Sequence, residues 1–221
     1  MRKIIVICTL LVAFMYTALA QDKTTIKLSK PTLDGGASIE KVLNERRSVR
    51  AYQDTPLTEK NVSQLLWAGQ GINEESTKKR TAPSARAKYP IELYLVVFNV
   101  EGIEKGVYQY IPDGHQIVKV FGEDKNEAIV KAAGSQPSIS KCPAAFIIAG
   151  NYLKMSENVD EQAIRFTHTE VGHVSQNIAL QGVALGIGSV VIGGFQQGIL
   201  SEVLEFPPDT KPIYVMPVGN K

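Results

Sequence analysis

Apolar residues along this chain follow two rhythms. Over 38–46, 58–69 and 125–133 they recur at three- and four-residue steps and predict helices, with Thr58 as the N-cap of the second. Runs at 91–100, 106–111, 115–121, 144–149, 189–192 and 213–218 are continuous or alternating and predict strands, the second and third closing as a hairpin around Pro112-Asp113-Gly114. Residues 71–89 read as loop. Hairpin pairing mixed with helices points to α+β rather than a doubly wound parallel sheet.

The longest periodic stretch runs from Asp160 to Gly186, which as a helix would extend about 40 Å. Gly172, Ser175, Ala179, Gly182 and Gly186 form a strip of small side chains, flanked by the apolar strip Val171, Val174, Ile178 and Leu185. Interior helical glycines cost about 1 kcal/mol each relative to alanine. Two of them imply a close-packing need, met within the subunit or by a partner. After Gln181 apolar residues surround the axis, which predicts burial on all sides.

The N-terminus changes the setting. Arg2 and Lys3 precede an apolar run from Ile4 to about Met15 and the small-residue site Ala18-Leu19-Ala20. This predicts a signal peptide over 1–20, cleaved before Gln21, then an arm over 21–37 and one domain over 38–221. The protein is then exported, periplasmic or secreted. Cys8 sits inside the apolar core, not at the cleavage point, which argues against lipid anchoring. The run is also shorter than the ~20 residues of a membrane span.

Cleavage removes two of the 24 basic residues and leaves as many as the 22 acidic ones. A neutral mature chain lacks the basic character that nucleic-acid binding requires. Cys142 is then the one remaining cysteine, so no internal disulfide can form, and a core drawn from the 44% hydrophobic residues must hold the fold.

Several groups could carry chemistry. Arg46, Arg47, Ser48 and Arg50 follow a predicted helix end, where basic residues favour the macrodipole. If the chain becomes extended there, alternation places Arg46, Ser48 and Arg50 on one side, suited to a phosphate. The glycines of 184–195 follow a helix and precede a strand, the reverse of a dinucleotide fingerprint. Gly193-Gly194 either ends a strand or lets backbone N–H groups approach a planar ligand. The loop sets Arg86, Lys88 and Tyr89 between Pro83 and Pro90, unusual for a surface turn. His168, Glu170 and His173 include one Glu-x-x-His step, but a di-iron site needs two, with two further glutamates. They read as surface or interface polar residues, and no metal site is predicted.

The segments "RRSVRAY", "LLWAGQGI", "RTAPSARAKYPIELYLVV", "GVYQYIPDGHQI", "VGHVSQNIALQGVALGIGSVVIGGF" and "YVMPVG" together resemble the nitroreductase family of FMN-dependent oxidoreductases. The closer resemblance is to its SagB-type dehydrogenase branch, which includes azoline oxidases. It runs from about Ile39 to Gly219. It implies a three-layer α+β fold with a mixed, mainly antiparallel sheet, a long central helix, and FMN in a groove at a homodimer interface.

By this resemblance Arg46, Arg47, Ser48 and Arg50 hold the phosphate and ribityl end. Pro83, Ser84 and Ala85 border the isoalloxazine ring, and Gly193 and Gly194 offer backbone groups near its reactive edge. Lys88 and Tyr89 face a small-molecule substrate as candidate acid or base. The family commonly has asparagine where this chain has Ala87 and, in the related branch, a small residue at Arg86. Its usual basic residue after the C-terminal glycine could here be Lys221 alone. The implied activity is hydride transfer through flavin N5. The alternative is a non-catalytic flavin-binding or interaction protein, which export favours because NAD(P)H is scarce outside the cytoplasm.

Overall fold

In chain order the elements are β1 (Thr25–Lys27), α1 (Ile39–Glu45), β2 (Leu57–Thr58), α2 (Glu59–Gln70), β3 (Ile72–Glu74), β4 (Lys79–Arg80), a 3-10 turn (Ala85–Ala87), β5 (Ile91–Val97), β6 (Val100–Glu101), β7 (Gly106–Ile111), β8 (Gln116–Phe121), α3 (Asp124–Ala132), α4 (Pro137–Ser140), β9 (Ala144–Asn151), α5 (Tyr152–Met155), α6 (Glu161–Ala184), β10 (Ile187–Ser189), α7 (Gln197–Val203) and β11 (Thr210–Asn220). The structure is a computed structural model that describes residues 24–221. The predicted signal peptide lies outside the described residues.

Seven strands form one sheet in the order β1-β8-β7-β5-β9-β11-β10, antiparallel at every pairing. Parallel pairing is confined, among the described residues, to β2 with β6 and an isolated bridge between Ser48 and Ser189. Strand β5 shows how three layers arise. Leu93, Leu95 and Val97 join one core with Val62, Leu65 and Leu66 of α2 and Val171, Val174 and Ile178 of α6. Tyr94 and Val96 point the other way, into a core with Ile129, Ile139 and Leu200 from α3, α4 and α7. Successive side chains on opposite faces of a doubly covered sheet produce the continuous apolar run seen in the sequence.

Helix starts follow local chemistry. Ser38, Thr58 and Asp160 each accept the backbone N–H three residues on, from Lys41, Asn61 and Ala163. Three expected spans change. The chain turns at Phe98 and Asn99, whose N–H groups both donate to Pro143 O, so β5 ends at Val97 and Val100 pairs instead with Leu57. The 71–89 loop contains the β3–β4 hairpin. The strand expected at 189–192 is shifted to Ile187–Ser189, with Ile192 reaching β11 through one bridge.

Within the 21–37 arm, β1 is the sheet edge beside β8. Ser29 N–H and Oγ–H donate to Glu59, and Thr32 and Gln64 exchange two hydrogen bonds. Cys142 is buried, which pushes its thiol up to about 12, and it donates to Ile139 O.

The small strip on α6 divides in use. Ser175 and Ala179 are buried, Gly172 has open space where a side chain would be, and Gly186 ends the helix at φ +75°. A Cβ on Gly182 would lie 3.2 Å from Ile187 O, a contact inside the subunit. The last turn is not enclosed as expected: Leu185 is 37% exposed, because the helix emerges at the subunit surface there. Gly182→Leu is therefore expected to destabilise the subunit itself by about 1–3 kcal/mol through overpacking. Thermal unfolding over a range of protein concentrations checks this; a Tm loss that depends on concentration would place the contact between subunits instead.

Candidate functional site

Helix α1 ends at Arg46, where the backbone turns extended (φ −59°, ψ 123°). Arg47 folds back, its Nη1 donating to Asn44 O and Arg46 O, so this guanidinium closes the helix end. The next residues lie along β10. Val49 N–H donates to Ser189 O at 2.9 Å. This close approach depends on two glycines paired across β10 and β11, Gly188 and Gly219. A Cβ on Gly188 would come within 2.7 Å of Val49 Cγ1, and one on Gly219 within 2.7 Å of Tyr52 Cγ.

With Val49 turned onto the sheet, alternation leaves its neighbours Ser48 and Arg50 on the outer side, both exposed; Arg46 is half-buried. Tyr52 fastens the segment by donating to Val49 O and Pro217 O, and burial raises its hydroxyl so that it stays protonated. Lys221 follows the end of the neighbouring β11, where Gln53 N–H donates to Asn220 O and the Gln53 side-chain amide to Lys221 O. Ser48 lies beside the β10 edge between Arg46 and Arg50, with Lys221 at the adjoining strand end.

Gly193 and Gly194 lie farther along that edge. Ile192 and Val215 exchange both backbone hydrogen bonds, Gly193 passes beside the Tyr214 ring, and Gly194 has nothing within 4 Å of a would-be Cβ. Ser48 aligns through Ser189 with Val218, and Gly193 with Tyr214. The separation along β11 is about 13 Å at ~3.3 Å per residue.

The loop with Pro83, Ser84 and Ala85 is anchored elsewhere. Asn177 holds Thr81 O, and Ala85 N–H donates to Glu170 Oε1 at 2.8 Å. From Glu170 to Gly182, which touches the start of β10, is about 18 Å of helix axis. In one subunit the loop and the Arg–Ser segment therefore flank different parts of α6. Arg86, Ala87 and Tyr89 are left-handed, with φ between +49° and +55°. At Ala87 this is the region where asparagine is enriched.

Tyr89 accepts Arg80 N–H on its hydroxyl and lies 4.5 Å beneath the Arg80 guanidinium, which also binds Gln70. Lys88 is exposed. An open cavity of about 260 Å³ lies between this loop and α6, bounded by Pro83, Ser84, Ala85, Phe166, Glu170 and His173.

The expectation that His168, Glu170 and His173 are all surface or interface residues fails at Glu170, which is 4% exposed. His168 and His173 are exposed, and His168 is hydrogen-bonded to Tyr152. Burial raises the Glu170 carboxyl, while the Ala85 N–H, the Ser84 hydroxyl and nearby His173 draw it back. A helix-pattern reading could have found it, because Glu170 is next to Val171 and one turn before Val174 on the inward face. The pairing of Gly188 with Gly219 had no local signal.

Two helical layers about a seven-stranded sheet, with a long helix against one face, define a three-layer α+β fold class. Residues 43–220 match the family model described as the nitroreductase family. A Methanocaldococcus jannaschii protein bearing a provisional nitroreductase designation is 39% identical over 197 residues, 89% of this chain and 98% of its own. The chain belongs to the nitroreductase family. A Ralstonia eutropha crystal structure with the same provisional designation has a TM-score of 0.77 at 24% identity, covering 91% of each chain. An NADPH:FMN oxidoreductase from Vibrio harveyi, solved with NAD+, has a TM-score of 0.61 at 16% identity, over 82% of this chain and 68% of that one. These two likenesses concern the fold.

Gly188→Ala is expected to push Val49 off β10, since a β-branched side chain has few alternative rotamers. The cost should be about 1–3 kcal/mol. A lowered Tm together with faster hydrogen exchange at Val49 N–H would show it; unchanged Val49 protection would mean that the segment does not depend on this contact.

Proposed function

We propose that this protein is an FMN-dependent oxidoreductase of the SagB-type branch, exported after cleavage near Ala20 and acting as a homodimer on a small organic substrate. The observation that carries this reading is the β10 edge, which has Ser48 with its flanking Arg46 and Arg50 at one end, Lys221 at the adjoining strand end, and Gly193-Gly194 about 13 Å further on. A ribityl phosphate and the near part of a flavin ring fit that span. The open space at Gly194 leaves backbone accessible to a planar group, and the Vibrio harveyi neighbour is by name an FMN oxidoreductase.

When bound, FMN supplies hydride acceptance and donation at ring N5. The chain's own residues bind and orient. Arg46, Arg50 and Lys221 supply charge and Ser48 a hydroxyl for the phosphate, while Arg47 keeps the preceding helix closed. Gly193 and Gly194 offer N–H groups to the ring edge. Pro83, Ser84 and Ala85 border the ring, and Lys88 or Tyr89 holds or moves a substrate proton. Because the loop and the phosphate edge flank different parts of α6 within a subunit, a groove between two subunits would supply both. The half-exposed Leu185 and the exposed Ile39 and Leu43 offer apolar surface for that contact.

The purified protein is expected to be yellow, with flavin released on denaturation. Arg50→Ala should weaken FMN binding by about 1.5–3 kcal/mol, roughly 10- to 100-fold, the worth of a hydrogen bond to a charged group. Riboflavin affinity should change little. Equal losses for both ligands, or wild-type protein that binds no FMN, would overturn the reading.

A kinetic test addresses the loop. Lys88→Ala or Tyr89→Phe is expected to leave flavin content intact and slow the half-reaction that moves a substrate proton by roughly 10²-fold. Stopped-flow measurement of each half-reaction separates this from a holding role, in which both rates would stay the same.

A further inference from the structure

We propose that Glu170 is a positioning residue: from inside the central helix it sets the shape of loop 83–89 and, through Ser84, the placement of Tyr89. The functional meaning of that placement rests on the reading above, in which this loop borders the flavin and carries the proton-handling pair. The geometry itself does not.

Loop 83–89 does not hold its shape through local preference. Three non-glycine residues, Arg86, Ala87 and Tyr89, are left-handed, at a cost of roughly 1–2 kcal/mol each. Its own short-range bonds, Ala87 N–H to Ser84 O and Lys88 N–H to Ala85 O, close turns but tie the loop to nothing else. Glu170 supplies a tie to the core. Its Oε1 accepts Ala85 N–H at 2.8 Å, and the Ser84 hydroxyl stabilises the charge of the same carboxylate. Ser84 Oγ in turn accepts Tyr89 N–H at 2.7 Å. Glu170 thus fixes the backbone at Ala85, and the adjoining Ser84 carries that placement to Tyr89.

The surroundings make a purely structural role a poor account. Glu170 adjoins Val171, which is fully buried, on the inward face of α6. No lysine or arginine forms a salt bridge with it among the described residues. A carboxylate buried without a basic partner costs stability, and an apolar side chain would satisfy the helix better. Its polar contacts are with the loop.

Burial raises the Glu170 carboxyl, whereas the contact that the loop itself makes, the Ala85 N–H, favours its charged form, as does His173 one turn on along α6. A glutamine at this position keeps an oxygen that can accept Ala85 N–H without the charge.

Hydrogen exchange of the full chain, read by NMR at Ala85 and Tyr89 and corrected for intrinsic rates, tests this. Glu170→Ala should speed exchange at both amides by about tenfold, the scale of one lost hydrogen bond, with Val171 and Val174 unchanged. Ser84→Ala should speed Tyr89 alone, and Glu170→Gln, which keeps the accepting oxygen, should preserve both. Unchanged Tyr89 protection in Glu170→Ala, or in Ser84→Ala should the alanine at 170 fail to fold, would overturn the proposal. So would a loss of Ala85 protection in Glu170→Gln as large as that in Glu170→Ala. FMN titration of the same proteins separates the two readings. Coupled amides in a protein that binds no flavin would leave the latch standing and remove the oxidoreductase reading, whereas flavin binding without coupled amides would do the reverse.

Discussion

The close approach of residues 48–52 to the β10–β11 pair is the contact on which the candidate site depends. It is possible because Gly188 and Gly219, paired across those strands, leave room for Val49 and Tyr52. With Val49 committed to the sheet, strand alternation turns its neighbours Ser48 and Arg50 to the outside. The packing of Tyr52 draws Gln53 to the end of β11, beside Lys221. A basic cluster that would otherwise be a solvated run at a helix end becomes an ordered row.

Helix α6 is the second organising element. Val171, Val174 and Ile178 are fully buried against the sheet and α2, giving the helix a rigidity that a loop can borrow. Glu170 at its inward face passes that rigidity to a loop with three left-handed non-glycine residues. Strain of this kind persists only where surrounding structure over-determines it, and the Glu170–Ala85 hydrogen bond, with Ser84 accepting Tyr89 N–H, is one source of that constraint. At the other end of α6, Gly182 lets β10 begin against the helix backbone. One helix therefore positions both the loop and the strand beside which Ser48 lies.

Much of this was legible in residue order. The caps Ser38, Thr58 and Asp160, the doubly buried run of β5, the β7–β8 hairpin and the long helix all follow from spacing and local chemistry, because caps and periodicities are properties of neighbouring residues. Period-two alternation after Arg46 was legible too, and with it the outward Ser48 and Arg50. The engaged Arg47, the short β2–β6 and β3–β4 pairs, and helices α4, α5 and α7 were not, since each is held by partners distant in the chain or is too short to show a period.

The sequence by itself determined the α+β class, the central helix, the family resemblance and which residue types could meet a phosphate, because these depend on pattern within short windows. Only the tertiary structure decided that Gly188 and Gly219 face each other beneath Val49 and Tyr52, that Gly182 packs within its own subunit, and that Glu170 is a buried anchor for the loop. Those facts join residues as far apart as Val49 and Gly188, or Ala85 and Glu170. The partner of a side chain across such separations is fixed by how the sheet and helices close around the core, which no local pattern records.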